Sequence, residues 1–118
     1  TDGTEPNYWL SALIIDEDAM CKQVRSEKEA LYISEPGKTC PTEILEAIAS
    51  INAEGRPIWK PMHMQPVFNK CDFIKADESA DAIDEDIFAR GLCLPSDIKM
   101  TDEEFDYVVN VIKSCFDK

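Results

Sequence analysis

Basic residues are scarce in this sequence: 12 Lys plus Arg stand against 24 Asp plus Glu, and the formal net charge is −12 at pH 7. Binding to a phosphate backbone draws its affinity from Lys and Arg that release counterions, so nucleic acid is a poor main partner, and so is an anionic membrane surface. Long apolar runs are missing too. No stretch approaches the ~18 to 20 apolar residues of a spanning helix, and Thr1 to Asn7 hold neither the basic nor the apolar part of an export signal. The expectation is a cytoplasmic protein with no membrane partner. Histidine occurs once, and the five cysteines (Cys21, Cys40, Cys71, Cys93, Cys115) include no C-x-x-C pair. Zinc sites use ligand pairs two to four residues apart, and disulfide frameworks are denser and even in number. Reduced, structural thiols and no metal site are expected. The Gly-rich phosphate loops, the G-x-S-x-G elbow and paired-histidine motifs are also absent. Alone, the chain lacks the parts of a self-sufficient enzyme, and no catalytic residue is assigned in it.

What is present fits one domain over residues 1–118, with 44% hydrophobic residues for a single core. The run from Tyr8 to Ile15 is rich in aromatic and β-branched residues and reads as a strand, apolar on both faces and therefore central in its sheet. Met20, Val24, Glu27 and Leu31 stand near helical spacing, which predicts a solvent-facing helix over Met20 to Ile33 with a break at Glu35-Pro36-Gly37-Lys38. Pro41 suits the first position of a helix whose apolar face is Ile44, Leu45, Ile48 and Ile51, with a stop at Asn52 to Gly55. Helical spacing recurs at Ala80, Ile83, Ile87 and Phe88 through an acidic run that reads as a solvated face, since the calcium-loop pattern fails there. A short strand follows at Leu92-Cys93-Leu94. Thr101-Asp102-Glu103-Glu104 is a capping box, and Phe105, Val108, Val109, Ile112 and Phe116 form the stripe of a final helix. The predicted class is α+β: a small antiparallel or mixed sheet with helices packed on one face.

Between the second and third helices lies Arg56-Pro57-Ile58-Trp59-Lys60-Pro61-Met62-His63-Met64-Gln65-Pro66. Its prolines remove donors and constrain their predecessors, so an extended, semi-rigid stretch is expected. Trp59 can stack on a ring, Arg56 and Lys60 can meet phosphate charge, and His63 can donate or accept. A Pro-rich crossover whose Trp and Met side chains simply pack on the core explains the same residues.

This string, continued through Val67-Phe68, resembles the C-terminal region of the DegT/DnrJ/StrS family of pyridoxal-phosphate-dependent nucleotide-sugar aminotransferases. Asn7-Tyr8-Trp9-Leu10-Ser11, the stretch from Asp86 to Ser96 and the Thr101 to Glu104 helix start agree in the same order, so the resemblance spans Asn7 to Phe116. It implies the small C-terminal domain of a fold-type I aminotransferase. The cofactor lysine would lie in a large domain outside this chain. Pyridoxal phosphate is then expected in the parent protein and not on this chain alone. The resemblance further implies a homodimer that transfers an amino group, from glutamate, to a nucleotide-linked keto sugar. Arg56, Trp59, Lys60 and His63 would be the substrate-binding residues: Arg56 or Lys60 toward the diphosphate, Trp59 and His63 toward the sugar or the cleft wall. Met20 to Lys38 looks like an insertion relative to the family. A free-standing binding module, or a non-catalytic regulator on the same scaffold, is the alternative.

Overall fold

A computed structural model of the chain describes residues 3–25, 29–78 and 81–118. The elements in chain order are β1 (Ala12–Ile14), β2 (Gln23–Arg25), β3 (Ala30–Tyr32), α1 (Pro41–Ser50), β4 (Arg56–Pro57), α2 (Ile83–Arg90), β5 (Gly91–Cys93) and α3 (Asp102–Ser114), with single 3-10 turns at Glu17–Ala19, Met62–Met64 and Pro66–Phe68. The class is α+β, built on two small antiparallel sheets, one ordered β1-β5-β4 and the other the β2-β3 hairpin.

α1 starts with Pro41 in its first turn, where the missing N–H costs nothing. It ends in a Schellman motif: Ala53 N–H donates to the Ile48 carbonyl at 3.1 Å and Asn52 N–H to the Ala49 carbonyl at 3.0 Å, with Asn52 at φ 61°. α3 opens with the capping box, Glu104 N–H donating to Thr101 Oγ1 at 3.2 Å and Thr101 N–H to Glu104 Oε2 at 2.9 Å. These two helices pack on each other, and α1 covers β4 and β5. The core is Ile15, Ile44, Ile48, Leu92, Val108 and Cys115, flanked by Leu45, Ile51, Val111, Ile112 and Phe116. Phe105, expected in this stripe, is exposed instead. The buried Glu43 carboxylate accepts from Thr39 Oγ1 at 2.7 Å and pairs with Lys118, so its charge is not left alone in the interior.

Three expectations change. The strand predicted from Tyr8 pairs only from Ala12, and it is an edge: β5 is the central strand, Leu13 facing Leu92 on one side and Pro57 facing Leu92 on the other. Burial explains the order, because all three residues of β5 are buried while Ala12 and Ile14 of β1 are exposed. The described residues of 20–33 do not form the predicted helix. They hold the hairpin, with Val24 opposite Leu31 and Gln23 opposite Tyr32; Glu27 lies outside the described residues. Strand pairing wins because its inward side chains find partners elsewhere in the fold. Gln23 Nε2 donates to the Ala89 carbonyl at 2.6 Å, Arg25 Nη1 to the Phe88 carbonyl at 2.7 Å, and Tyr32 OH to Glu46 at 3.0 Å. The third helix begins only at Ile83, and Ala80 of its expected stripe is outside the described residues.

Two glycines permit close approaches. A Cβ on Gly91 would sit 2.4 Å from the Ile87 carbonyl oxygen, where α2 turns directly into β5. One on Gly55 would meet Ile48 and Leu45 side-chain atoms at 2.5 and 2.9 Å, where the chain returns over α1 toward β4.

Candidate functional site

The stretch 56–66 is not extended throughout. Arg56 and Pro57 form the β4 edge, a position proline tolerates because its outer side carries no ladder bond. Pro61 then leads into the turn at Met62–Met64, closed by Met64 N–H to the Pro61 carbonyl at 3.1 Å. Gln65 Nε2 folds back onto the Lys60 carbonyl at 3.3 Å.

This path divides the four sequence-predicted site residues into two groups. Arg56 and Trp59 face one open cleft of about 490 Å³, shared with Trp9, Leu10, Pro95 and Ser96. The Trp9 and Trp59 rings lie 5.7 Å apart, tilted by 34°, and both are largely exposed. Arg56 Nη2 meets Glu54 Oε1 at 2.7 Å, with both side chains about three-quarters in solvent (76% and 73%). Such a pair is worth at most about 1 kcal/mol and exchanges readily for a stronger anion. Ser96 Oγ braces the cleft, accepting from Ser11 N–H at 3.1 Å.

His63 turns to the first turn of α2. Its Nε2 lies 2.8 Å from Glu85 Oε1, its Nδ1 3.5 Å from Asp84 Oδ2, and its ring stacks on Phe73 with centroids 3.6 Å apart. The side chain is 18% exposed, so it is committed to these partners. Asp84 and Glu85, read from the sequence as a solvated face, therefore hold a histidine 22 residues earlier in the chain. Asp86, next to them, is forked by Arg90, whose guanidinium holds the Asp86 carboxyl below the usual carboxylate range. Arg90 Nη1 also donates to the Ile15 carbonyl at 2.7 Å, tying α2 to the chain after β1. Neither Lys60 nor His63 lines the two-tryptophan cleft.

Trp9 is the residue that sequence reading left out of the site. The sequence predicts a strand at Trp9, yet β1 begins only at Ala12 and the indole meets Trp59. The usable signal was that these are the only two tryptophans, each beside a proline-marked bend.

All five cysteines are free thiols, four buried and Cys71 exposed. Among the described residues no helix is long and apolar enough to cross a membrane, and no three His, Cys, Asp or Glu side chains gather as a metal site.

Comparison with known proteins gives a consistent result. EpsN of Bacillus subtilis (strain 168), named as a pyridoxal phosphate-dependent aminotransferase, is 41% identical over 76 residues, covering 64% of this chain and 19% of the relative. The chain thus spans about a fifth of that relative's length. The sequence pattern of the DegT/DnrJ/EryC1/StrS aminotransferase family matches residues 16–113, most of the chain, including the hairpin, α1, the cleft-forming β4 and β5, α2 and all of α3 but its last residue; β1 lies ahead of the match. On that match, the chain belongs to the DegT/DnrJ/EryC1/StrS aminotransferase family.

Proposed function

We propose that this chain is the C-terminal small domain of a pyridoxal-phosphate-dependent aminotransferase. The parent protein, a cytoplasmic homodimer, moves an amino group from glutamate onto a keto sugar carried by a nucleoside diphosphate. The observation that carries the reading is the cleft in which Arg56 and Trp59 meet Trp9. Two exposed, tilted indoles offer π faces to a base or to the apolar face of a sugar. A guanidinium at their edge can exchange Glu54 for two phosphate oxygens; Lys60 lies on the same segment but outside the cleft wall. His63 works by position: its carboxylate partners and Phe73 hold the turn that follows Lys60.

The residues present do not fit the cofactor. Pyridoxal phosphate needs an amine for its aldehyde and several donors for its phosphate, whereas no lysine lines the cleft and its one guanidinium faces Glu54. In this reading the cofactor, which carries the amino group between donor and acceptor, is held by the remainder of a longer protein. This chain supplies substrate contacts and is inactive alone.

The test is steady-state kinetics of the full-length protein with Trp59→Ala and Arg56→Ala. Base or ring stacking is worth ~1 to 3 kcal/mol, so Trp59→Ala is expected to raise the KM for the nucleotide sugar roughly 5- to 150-fold. The visible absorption of bound cofactor should stay unchanged. Unaltered kinetics in both variants would sink the substrate-contact reading, and a full-length protein without that absorption would favour a regulator on the same scaffold.

A further inference from the structure

The β2-β3 hairpin leaves and rejoins the body at one point. Met20 and Thr39 pair as a parallel bridge, Thr39 N–H donating to the Ala19 carbonyl at 3.0 Å and Cys21 N–H to the Thr39 carbonyl at 2.9 Å. The next step in this register sets Cys21 beside Cys40. Strands in such register lie ~4.8 Å apart, inside the ~4.4 to 6.8 Å between Cα atoms that a disulfide spans. Both side chains are buried, 3% and 0% exposed. Burial pushes both thiols up, Cys21 to about 11. At Cys40, which precedes the first turn of α1, the Cys21 side chain and the Thr42 backbone oppose that rise. Cys40 is therefore the sulfur better able to carry charge, and Cys21 the thiol that stays protonated beside it.

We propose that Cys21 and Cys40 are a dithiol modification site that closes, on oxidation by a peroxide, into a disulfide ring around the β2-β3 hairpin. The Cys40 thiolate attacks one oxygen of hydrogen peroxide; an S–O bond forms, the O–O bond breaks, and the departing hydroxide takes a proton to become water. The Cys21 sulfur gives up its proton and displaces the hydroxyl from Cys40; the S–S bond forms, the S–O bond breaks, and a second water leaves. Two thiols lose two electrons and two protons, and one peroxide becomes two waters. The ring encloses Gln23 and Arg25, whose side chains hold the carbonyls in the last turn of α2. Closing it restrains the hairpin against that helix.

Peptide mapping of the full-length protein tests the site. The Cys71→Ser background removes the exposed thiol; peroxide treatment is followed by alkylation in denaturant. Expected is a Cys21–Cys40 linked peptide pair, lighter by two hydrogens than its separate parts and released by dithiothreitol. Hydrogen exchange across residues 22–39 should be several-fold slower in the oxidised form. Recovery of Cys21 and Cys40 as alkylated thiols or as separate sulfinic acids would overturn the proposal, and so would a link from either one to Cys115. The pair stays intact throughout, so the result does not depend on a core variant folding.

Discussion

Asp86 and Arg90 show how one ion pair can matter through what its cation also holds. The pair is solvent-accessible, which limits its own worth, but the guanidinium it orients also reaches the Ile15 carbonyl. The Asp86 carboxyl is held below the ordinary range, chiefly by hydrogen bonding from Arg90. A depressed folded-state pKa means the folded chain gives up this proton more readily than the unfolded one. The contribution is present above the ordinary aspartate range, ~3.9, and is lost as pH falls through the lower folded value. Asp86→Asn should therefore shift the urea midpoint downward at pH 7, with the gap to the parent sequence closing below about pH 4. A gap that stays constant down to pH 2.5 would mean that Asp86 acts through packing alone. Cys21 has the opposite sign. Its thiol is raised from 9.0 to about 11, so its contribution is full below pH 9 and is lost as pH rises toward 11. Urea unfolding between pH 8 and pH 11 should show a falling limb that Cys21→Ala flattens.

The hairpin is the element whose stability rests most on a distant part of the chain. Arg25 packs 4.3 Å over the Phe88 ring and donates to the Phe88 carbonyl, closing the C-terminal end of a helix whose own cap supplies little. Removing the guanidinium forfeits a cation–π contact and a charge-assisted hydrogen bond, together about 1 to 3 kcal/mol. Arg25→Ala should lower stability by that amount and speed exchange in β2, β3 and the last turn of α2 together; a change confined to the hairpin would contradict the coupling. The same distance explains what could be read from the sequence. α1 and α3 were legible because their start and stop signals are local: Pro41, Asn52, and the box from Thr101 to Glu104. The hairpin was not, because Val24 and Leu31 are exposed on its outer face while Gln23, Arg25 and Tyr32 turn inward to partners 14 to 66 residues away. An apolar-out, polar-in strand pair inverts the pattern on which sequence reading relies. The site followed the same rule. Arg56 and Trp59 line one cleft because they are near neighbours on one segment. The Trp9 contact and the grip of Asp84 and Glu85 on His63 come from strand order and helix placement, which no local spacing encodes.

At the scale of the whole molecule, the acidic excess and the exposed apolar surface act against each other. Trp9, Trp59, Val24, Leu31, Ile74 and Ile98 are all more than half exposed, enough apolar surface to drive association if nothing opposed it. What opposes it is the net charge of −12, which gives every encounter between copies a repulsive field. That field reaches ~8 Å at physiological ionic strength and ~3 Å at 1 M salt. Two ways of removing it should therefore expose the same surface. Lowering the pH to the isoelectric point, near 4.3, cancels the charge, while raising the salt at pH 7 only shortens its range. Light scattering of the 118-residue chain is expected to show a single small species at pH 7 in low salt and steep association between pH 4 and 5. A weaker rise is expected in 1 M sodium chloride at pH 7. Trp9→Ser with Trp59→Ser should blunt both responses, because the two indoles place large exposed apolar rings side by side, 5.7 Å apart. If the double variant associates as steeply as the parent sequence, the apolar contacts lie elsewhere, and the outward face of the hairpin, Val24 with Leu31, becomes the next pair to replace.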